Sequence, residues 1–146
     1  MIILLFGQPA SGKTTLADAL HSELWAQTFY ATIKLDGDKW REVTKNKDYS
    51  KEGRVKNLKG AFDMALYLEK SDYIPILSFV TPYEELRSYL RENAILLKEV
   101  YLEYSGDRGR NTYFAKDFEK PTNVDLFLNT SEMDISECIE KIKQIL

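Results

Sequence analysis

Residues Gly7-Gln8-Pro9-Ala10-Ser11-Gly12-Lys13-Thr14 fit G-x-x-x-x-G-K-[ST], the spacing of a loop that cradles phosphate groups. Gly7 and Gly12 permit backbone angles and a closeness of approach that a β-carbon would block. Lys13 is placed to reach the β- and γ-phosphates of a bound nucleotide, and the Thr14 hydroxyl to hold Mg²⁺. Gly7, Ala10, Ser11, Gly12, Lys13, Thr14 and Thr15 are therefore the expected nucleotide contacts, with ATP and Mg²⁺ the expected occupants. The setting agrees. Met1 to Phe6 is an unbroken apolar run suited to a strand buried on both faces. From Lys13 onward the spacing turns helical, so the loop opens at a helix N-terminus, where unpaired N–H groups and the helix dipole favour anions.

A second cluster, Leu35-Asp36-Gly37-Asp38-Lys39-Trp40-Arg41, follows the second apolar run. In a parallel α/β sheet, ligands bind at the C-terminal edge of the strands, where the phosphate loop also opens. Phosphoryl transfer to a hydroxyl needs a carboxylate to orient that hydroxyl and organise Mg²⁺. Asp36 and Asp38 are the expected pair, acting with Lys13, and Gly37 is expected to turn the chain so that both point inward. A solvent-facing Asp-Gly turn is the plain alternative. A phosphate loop at the same sheet edge favours the chemical reading.

The elements that must position these groups alternate in type, which predicts an α/β fold with a parallel sheet. Strands are expected at Met1–Phe6, Tyr30–Leu35, Ile74–Val80, within Ile95–Leu102 and at Val124–Leu128. Pro75 belongs at the start of its strand. Helices are expected from Lys13 to about Gln27, after Asp38, from Lys51 to about Glu69, and from Pro82 to about Asn93. A last helix sets Ile135, Cys138, Ile139, Ile142 and Ile145 on one face. Between Glu103 and Asn123 the pattern fails over a stretch long for a connection, which predicts a lid or binding loop. Arg87 and Arg91 read as surface charges, and His21 as a surface or packing residue.

The chain has 146 residues, one domain by length, and a formal net charge of −3 with both signs mixed. That balance gives no pull toward nucleic acid or an anionic membrane, and no apolar run reaches the length of a membrane span. Cys138 is the only cysteine and His21 the only histidine, so a disulfide, a zinc site and a Ser-His-Asp triad are all poorly supplied. A cytoplasmic location is the expectation.

Leu35-Asp36-Gly37-Asp38 with Arg41 resembles the LDGDxxR signature of adenylylsulfate (APS) kinases. Tyr49-Ser50 with Arg54 and Asn57 is similar to that family's aromatic-Ser-x-x-x-Arg-x-x-Asn stretch. Val80-Thr81-Pro82-Tyr83 with Arg87 resembles its (I/V)-S-P-Y-x-x-x-R segment, and Phe118-Glu119-Lys120-Pro121 its late P-Y-E-x-P. The resemblance implies a three-layer P-loop kinase fold, with five parallel strands in the order 2-3-1-4-5 and helices on both faces. It implies transfer of the γ-phosphoryl of ATP to the 3′-hydroxyl of adenosine 5′-phosphosulfate. Asp38, Arg41, Arg54 and Asn57 would contact the acceptor. Tyr49 would stack on its base, and a second aromatic would come from the late loop, Tyr113 or Phe114, with Phe114 taken as the site residue. A homodimer is also in keeping with the family.

Arg54 and Asn57 lie i, i+3 on one helix face, and a guanidinium can fork onto phosphate or sulfate oxygens. The chain departs from the family at Gln8-Pro9-Ala10, at Lys39-Trp40 and in a shortened lid, where Arg108 or Arg110 is the remaining lid charge. The alternatives are a kinase of the same fold acting on another nucleotide-linked or sugar hydroxyl, and a nucleotide-binding module without turnover.

Overall fold

The computed structural model describes residues 1–27, 31–106, 108–109 and 113–146. Five strands, β1 (Ile2–Phe6), β2 (Thr32–Asp36), β3 (Ile74–Phe79), β4 (Leu97–Glu103) and β5 (Leu126–Asn129), form one sheet in the order β2-β3-β1-β4-β5. Every pairing is parallel, so the expected order and direction hold. Five helices are seen: α1 (Lys13–Gln27), α2 (Gly37–Thr44), α3 (Lys51–Lys70), α4 (Glu84–Asn93) and α5 (Ile135–Lys143).

The central strand explains its own composition. All five residues of β1 are fully buried, because both faces are covered. Ile2, Leu4 and Phe6 point into a cluster with Leu58, Phe62 and Leu66 of α3 and Leu86 and Leu90 of α4. Ile3 and Leu5 point the other way, onto Leu16 and Leu20 of α1 and Ile139 and Ile142 of α5. The period-two alternation of a strand thus divides one apolar run between two cores. Each large side chain so buried contributes roughly 1.5–3 kcal/mol relative to exposure. Pro75 is accommodated as the second residue of β3, paired with Ile33.

The expectations for Arg87 and Ile135 change. Arg87 is not a surface charge but 1% exposed. Its guanidinium donates to the Thr81 and Glu119 carbonyls at 2.9 and 2.7 Å, ion-pairs with Glu84, and lies 5.2 Å from the Phe6 ring centroid. It ties the β3–α4 corner to the late segment. Arg91 is at the surface as expected, and it bonds the buried Glu99 of β4. Ile135, placed on the core face by spacing, is 48% exposed, because α5 begins there and its first turn overhangs the core. His21 packs as expected, its Nδ1 lying 2.6 Å from Thr32 Oγ1. Among the described residues, no helix is long and apolar enough to cross a membrane.

Candidate active site

The turns after β1, β2 and β3 meet at one edge of the sheet and enclose a cleft. Its floor is the phosphate loop. Gly7 has φ 153°, and a β-carbon there would stand 2.2 Å from the Leu102 carbonyl oxygen of β4, so no other residue fits. A β-carbon at Gly12 would meet Thr130 and Arg108 only at ordinary contact distance, so what requires glycine there is its φ of 98°. Ala10, at φ 63°, also holds a left-handed conformation. Lys13 curls back over the loop, donating to the Gln8 carbonyl at 2.7 Å and to Ser11 Oγ at 3.3 Å. Ala10, Gly12, Lys13, Thr14 and Thr15 line the cleft, whereas Gly7 and Ser11 support it from beneath.

The last residue of β2 supplies a carboxylate beside the phosphate loop. Asp36 lies in register with Ser78 of β3, and one of its oxygens accepts from Thr14 Oγ1 at 2.7 Å and Ser78 Oγ at 2.8 Å. Its other oxygen caps α2, accepting from the Asp38 and Lys39 amides. Burial pushes the Asp36 carboxyl up, but these four hydrogen bonds outweigh it and hold the group below the ordinary carboxylate range. A hydroxyl and an ionised carboxylate side by side at the loop are hard oxygen donors. They fit Mg²⁺, which takes one or two protein ligands and completes its shell with phosphates and water. Gly37 has no special φ. It opens α2, and a β-carbon there would press on the Phe79 ring of β3 at 3.3 Å, so close approach rather than a turn explains it. Asp38, one position further along the first turn of α2, lines the cleft as expected.

The wall opposite the loop is α3. Ser50 caps that helix by accepting from the Gly53 amide, which sets Arg54 and Asn57 on its buried face. Arg54 donates through Nε to the Tyr49 carbonyl at 3.0 Å and through Nη2 to the Tyr113 carbonyl at 3.4 Å. Trp40 Nε1 donates to the Asn57 carbonyl at 3.0 Å, docking α2 on α3. Asn57 is 6% exposed, and among the described residues its buried Oδ1 has no hydrogen-bond partner. A buried acceptor without a partner costs free energy, and Asn57 lines the cleft, so a turn of its side chain would present that acceptor to a ligand donor. Arg41 packs 4.1 Å over the Tyr49 ring and donates to the Asn46 and Asp48 carbonyls.

The structure thus brings Lys13, Asp36, Asp38, Arg41, Tyr49, Arg54 and Asn57 around one cleft. The late aromatic that lines it is Tyr113, whose ring centroid lies 6.3 Å from that of Tyr49. Phe114, the residue expected there, is not among the lining residues. The register is one position earlier, because the Tyr113 carbonyl is the one Arg54 reaches. Arg108 donates to the Ala10 carbonyl at 2.8 Å and stacks 3.7 Å over Tyr104, so a cation does overhang the loop. Asp107 and 110–112, with Arg110 among them, lie outside the described residues. A second hollow continues past Gly12 and Arg108 toward Thr130, Asp134 and Ile135.

Three supporting residues escaped the sequence reading. Ser78 is the single polar side chain in Ile74–Phe79, a signal that was there to be read. Thr130 donates to the Ser11 carbonyl at 2.8 Å and had no signal at all. Gln8, in a variable position of the loop, pairs with the late segment at Ala115.

Residues 1–113 match the family model for adenylylsulphate kinase. The chain belongs to that family. The adenylyl-sulfate kinase of Halothermothrix orenii is 30% identical to it, across 96% of this chain and 85% of the relative. The probable adenylyl-sulfate kinase of Aeropyrum pernix is 29% identical, across 100% and 94%. The Mycobacterium tuberculosis APS kinase, solved in complex with AMPPNP and APS, superposes with a TM-score of 0.87 over 99% of this chain and 95% of that one. At 20% identity that likeness speaks for the adenylylsulphate kinase fold.

Proposed function

We propose that this chain is an ATP-dependent kinase that moves the γ-phosphoryl of ATP to the 3′-hydroxyl of adenosine 5′-phosphosulfate. The observation that carries the reading is the facing of two half-sites: a phosphate cradle with its Thr14–Asp36 pair, and a wall bearing Arg54 and Asn57.

The residues divide the work by chemistry. The amides of Ala10 to Thr15 and the Lys13 ammonium neutralise charge on the oxygens of the transferring group. Thr14, with Asp36 beside it, would hold Mg²⁺, which would supply positive charge to the phosphate oxygens. Asp38 orients the acceptor hydroxyl and takes its proton as the new O–P bond forms and the bond to the β-phosphate oxygen breaks. ADP leaves with the charge that the loop and Lys13 compensate. Arg54 and Arg41 offer fixed donors for the phosphosulfate oxygens of the acceptor. Asn57 Oδ1 accepts from the acceptor nucleoside, and Tyr49 and Tyr113 present π faces to its base. The described part of 103–123 brings Tyr113 over the acceptor. Arg108 supplies the charge that closes the loop side.

The test is product identification. Incubation with ATP, Mg²⁺ and adenosine 5′-phosphosulfate should give ADP and a product carrying phosphate on the 3′-oxygen, resolved by anion exchange and phosphorus NMR. Turnover on a sugar or other nucleotide hydroxyl, with none on this acceptor, would overturn the acceptor assignment. ATP affinity with no acceptor-dependent ADP release would overturn the enzyme reading.

A further inference from the structure

Gln8 sends its side chain out of the phosphate loop to the late segment. Its Nε2 donates to the Ala115 carbonyl at 2.9 Å, and its Oε1 accepts from the Ala115 amide at 3.0 Å. This is the pairing a strand residue would make, built from a side chain across 107 residues of sequence. Ala115 is 3% exposed, so neither bond is lost to solvent. The main-chain oxygen of Gln8 meanwhile accepts from Lys13 Nζ at 2.7 Å.

Ala115 stands between two fixed points. Two residues earlier, Tyr113 lies beside Tyr49 and has its carbonyl held by Arg54. Four residues later, the Glu119 amide donates to the Pro82 carbonyl at 2.8 Å and the Glu119 carbonyl accepts from buried Arg87. The described part of the late segment is therefore fastened to the acceptor wall, to the β3–α4 corner and to the phosphate cradle, the last through the Gln8 side chain and through Arg108 on the Ala10 carbonyl. No apolar contact of Gln8 replaces this function, since Leu or Met at position 8 offers Ala115 neither donor nor acceptor.

We propose that Gln8 is a positioning residue that couples nucleotide occupancy of the phosphate loop to the acceptor pocket, through its paired hydrogen bonds to Ala115 and hence to Tyr113. The inference rests on the acceptor reading above only for the choice of assay. When a nucleotide draws Lys13 onto its phosphates, the Gln8 carbonyl loses that partner and the loop settles on the ligand. The amide of the same residue carries the adjustment to Ala115. Nucleotide and acceptor then bind with positive coupling, and any such coupling is reciprocal.

The variants are Gln8→Met, which keeps length without polar atoms, and Gln8→Glu, which keeps the acceptor for the Ala115 amide but sets an oxygen against the Ala115 carbonyl. In both, KM for adenosine 5′-phosphosulfate should rise roughly 5- to 30-fold, the loss expected for one to two neutral hydrogen bonds. Binding of AMPPNP alone should stay within about twofold, because the loop amides are untouched, whereas KM for ATP at saturating acceptor should rise alongside the acceptor KM, because the coupling is reciprocal. Binding of AMPPNP should tighten the acceptor in the wild type and do so weakly or not at all in the variants. Amide exchange supplies a readout independent of catalysis. The Ala115 amide should exchange faster in Gln8→Met than in the wild type, and AMPPNP alone should slow it only in the wild type. Wild-type exchange at Ala115 in Gln8→Met would refute the pairing. Faster exchange with unchanged acceptor KM and unchanged response to AMPPNP would refute the coupling. If the wild type does not phosphorylate adenosine 5′-phosphosulfate, the acceptor reading fails by itself, and the exchange response to AMPPNP still decides the role of Gln8.

Discussion

Replacing Asp36 separates what its charge does from what its shape does. The side chain caps α2 through one oxygen and holds the Thr14 and Ser78 hydroxyls through the other. Asp36→Asn keeps a cap of equal quality, and its amide can donate to both hydroxyls, which turn to accept. Its folding free energy should change by less than about 1 kcal/mol. Asp36→Ala loses the cap, about 1 kcal/mol, and strands the hydroxyl of Ser78, a residue 4% exposed, at about 1–3 kcal/mol. The expected total is about 2–4 kcal/mol, read as a lower urea midpoint at unchanged slope. Catalysis should order the variants differently. Both lack the carboxylate beside Thr14, so both should lose about 10²–10³-fold in kcat, the range for removing one charge-stabilising group. Both should also need at least about tenfold more Mg²⁺ for half-maximal rate, the cost of about 1.4 kcal/mol in metal affinity. The assay is coupled ADP release across a Mg²⁺ titration, run beside urea melts. A well-folded Asp36→Asn enzyme with wild-type Mg²⁺ dependence would refute the metal role of the Thr14–Asp36 pair.

Other outcomes follow from the same geometry. Arg54→Ala should raise acceptor KM by about 10–100-fold with a smaller change in kcat, since a charge-assisted bond is worth about 1.5–3 kcal/mol; steady-state kinetics at saturating ATP measures this. Arg87→Ala should cost about 3–5 kcal/mol in urea melts, because it strands two buried carbonyls and one side of an ion pair. Asp36, Glu69 and Glu84 are all held below the usual carboxylate range, each by hydrogen bonds that outweigh burial. Their contribution is therefore fully present above the unfolded values near pH 4 and is lost as pH falls through the lower folded values. Urea midpoints should drop on acidification below about pH 4, less steeply in Asp36→Asn. Tyr83 is pushed up to about 12 by burial and by Asp117. Its contribution is present below about pH 10 and lost as pH rises through that folded value, and Tyr83→Phe should flatten the alkaline limb.

Much of this was legible in the sequence, and the reasons are local. The phosphate loop and the strand before it are set by backbone requirements at Gly7 and Gly12 and by an apolar run that only a doubly covered strand can bury. Asp36 was readable because it ends a strand at the edge where the loop opens. Arg54 and Asn57 were readable as a pair through helical spacing. What stayed hidden depends on contacts distant in sequence. Arg87 looks like any charged residue of a polar helix until the Thr81 and Glu119 carbonyls arrive beside it. Thr130 matters only because β5 ends beside Ser11. The late register slipped by one, from Tyr113 to Phe114, because a segment without periodicity carries no phase. Gln8 read as a departure from a family pattern, whereas its meaning lies 107 positions away at Ala115.

The most direct test is single-turnover transfer from γ-labelled ATP in the wild type and in Lys13→Ala, with Mg²⁺ and adenosine 5′-phosphosulfate present. The wild type should place the label on the 3′-oxygen of the acceptor, and Lys13→Ala should do so at least about 10³-fold more slowly. Label transfer at an undiminished rate in Lys13→Ala would contradict the assignment of this loop as the seat of phosphoryl transfer.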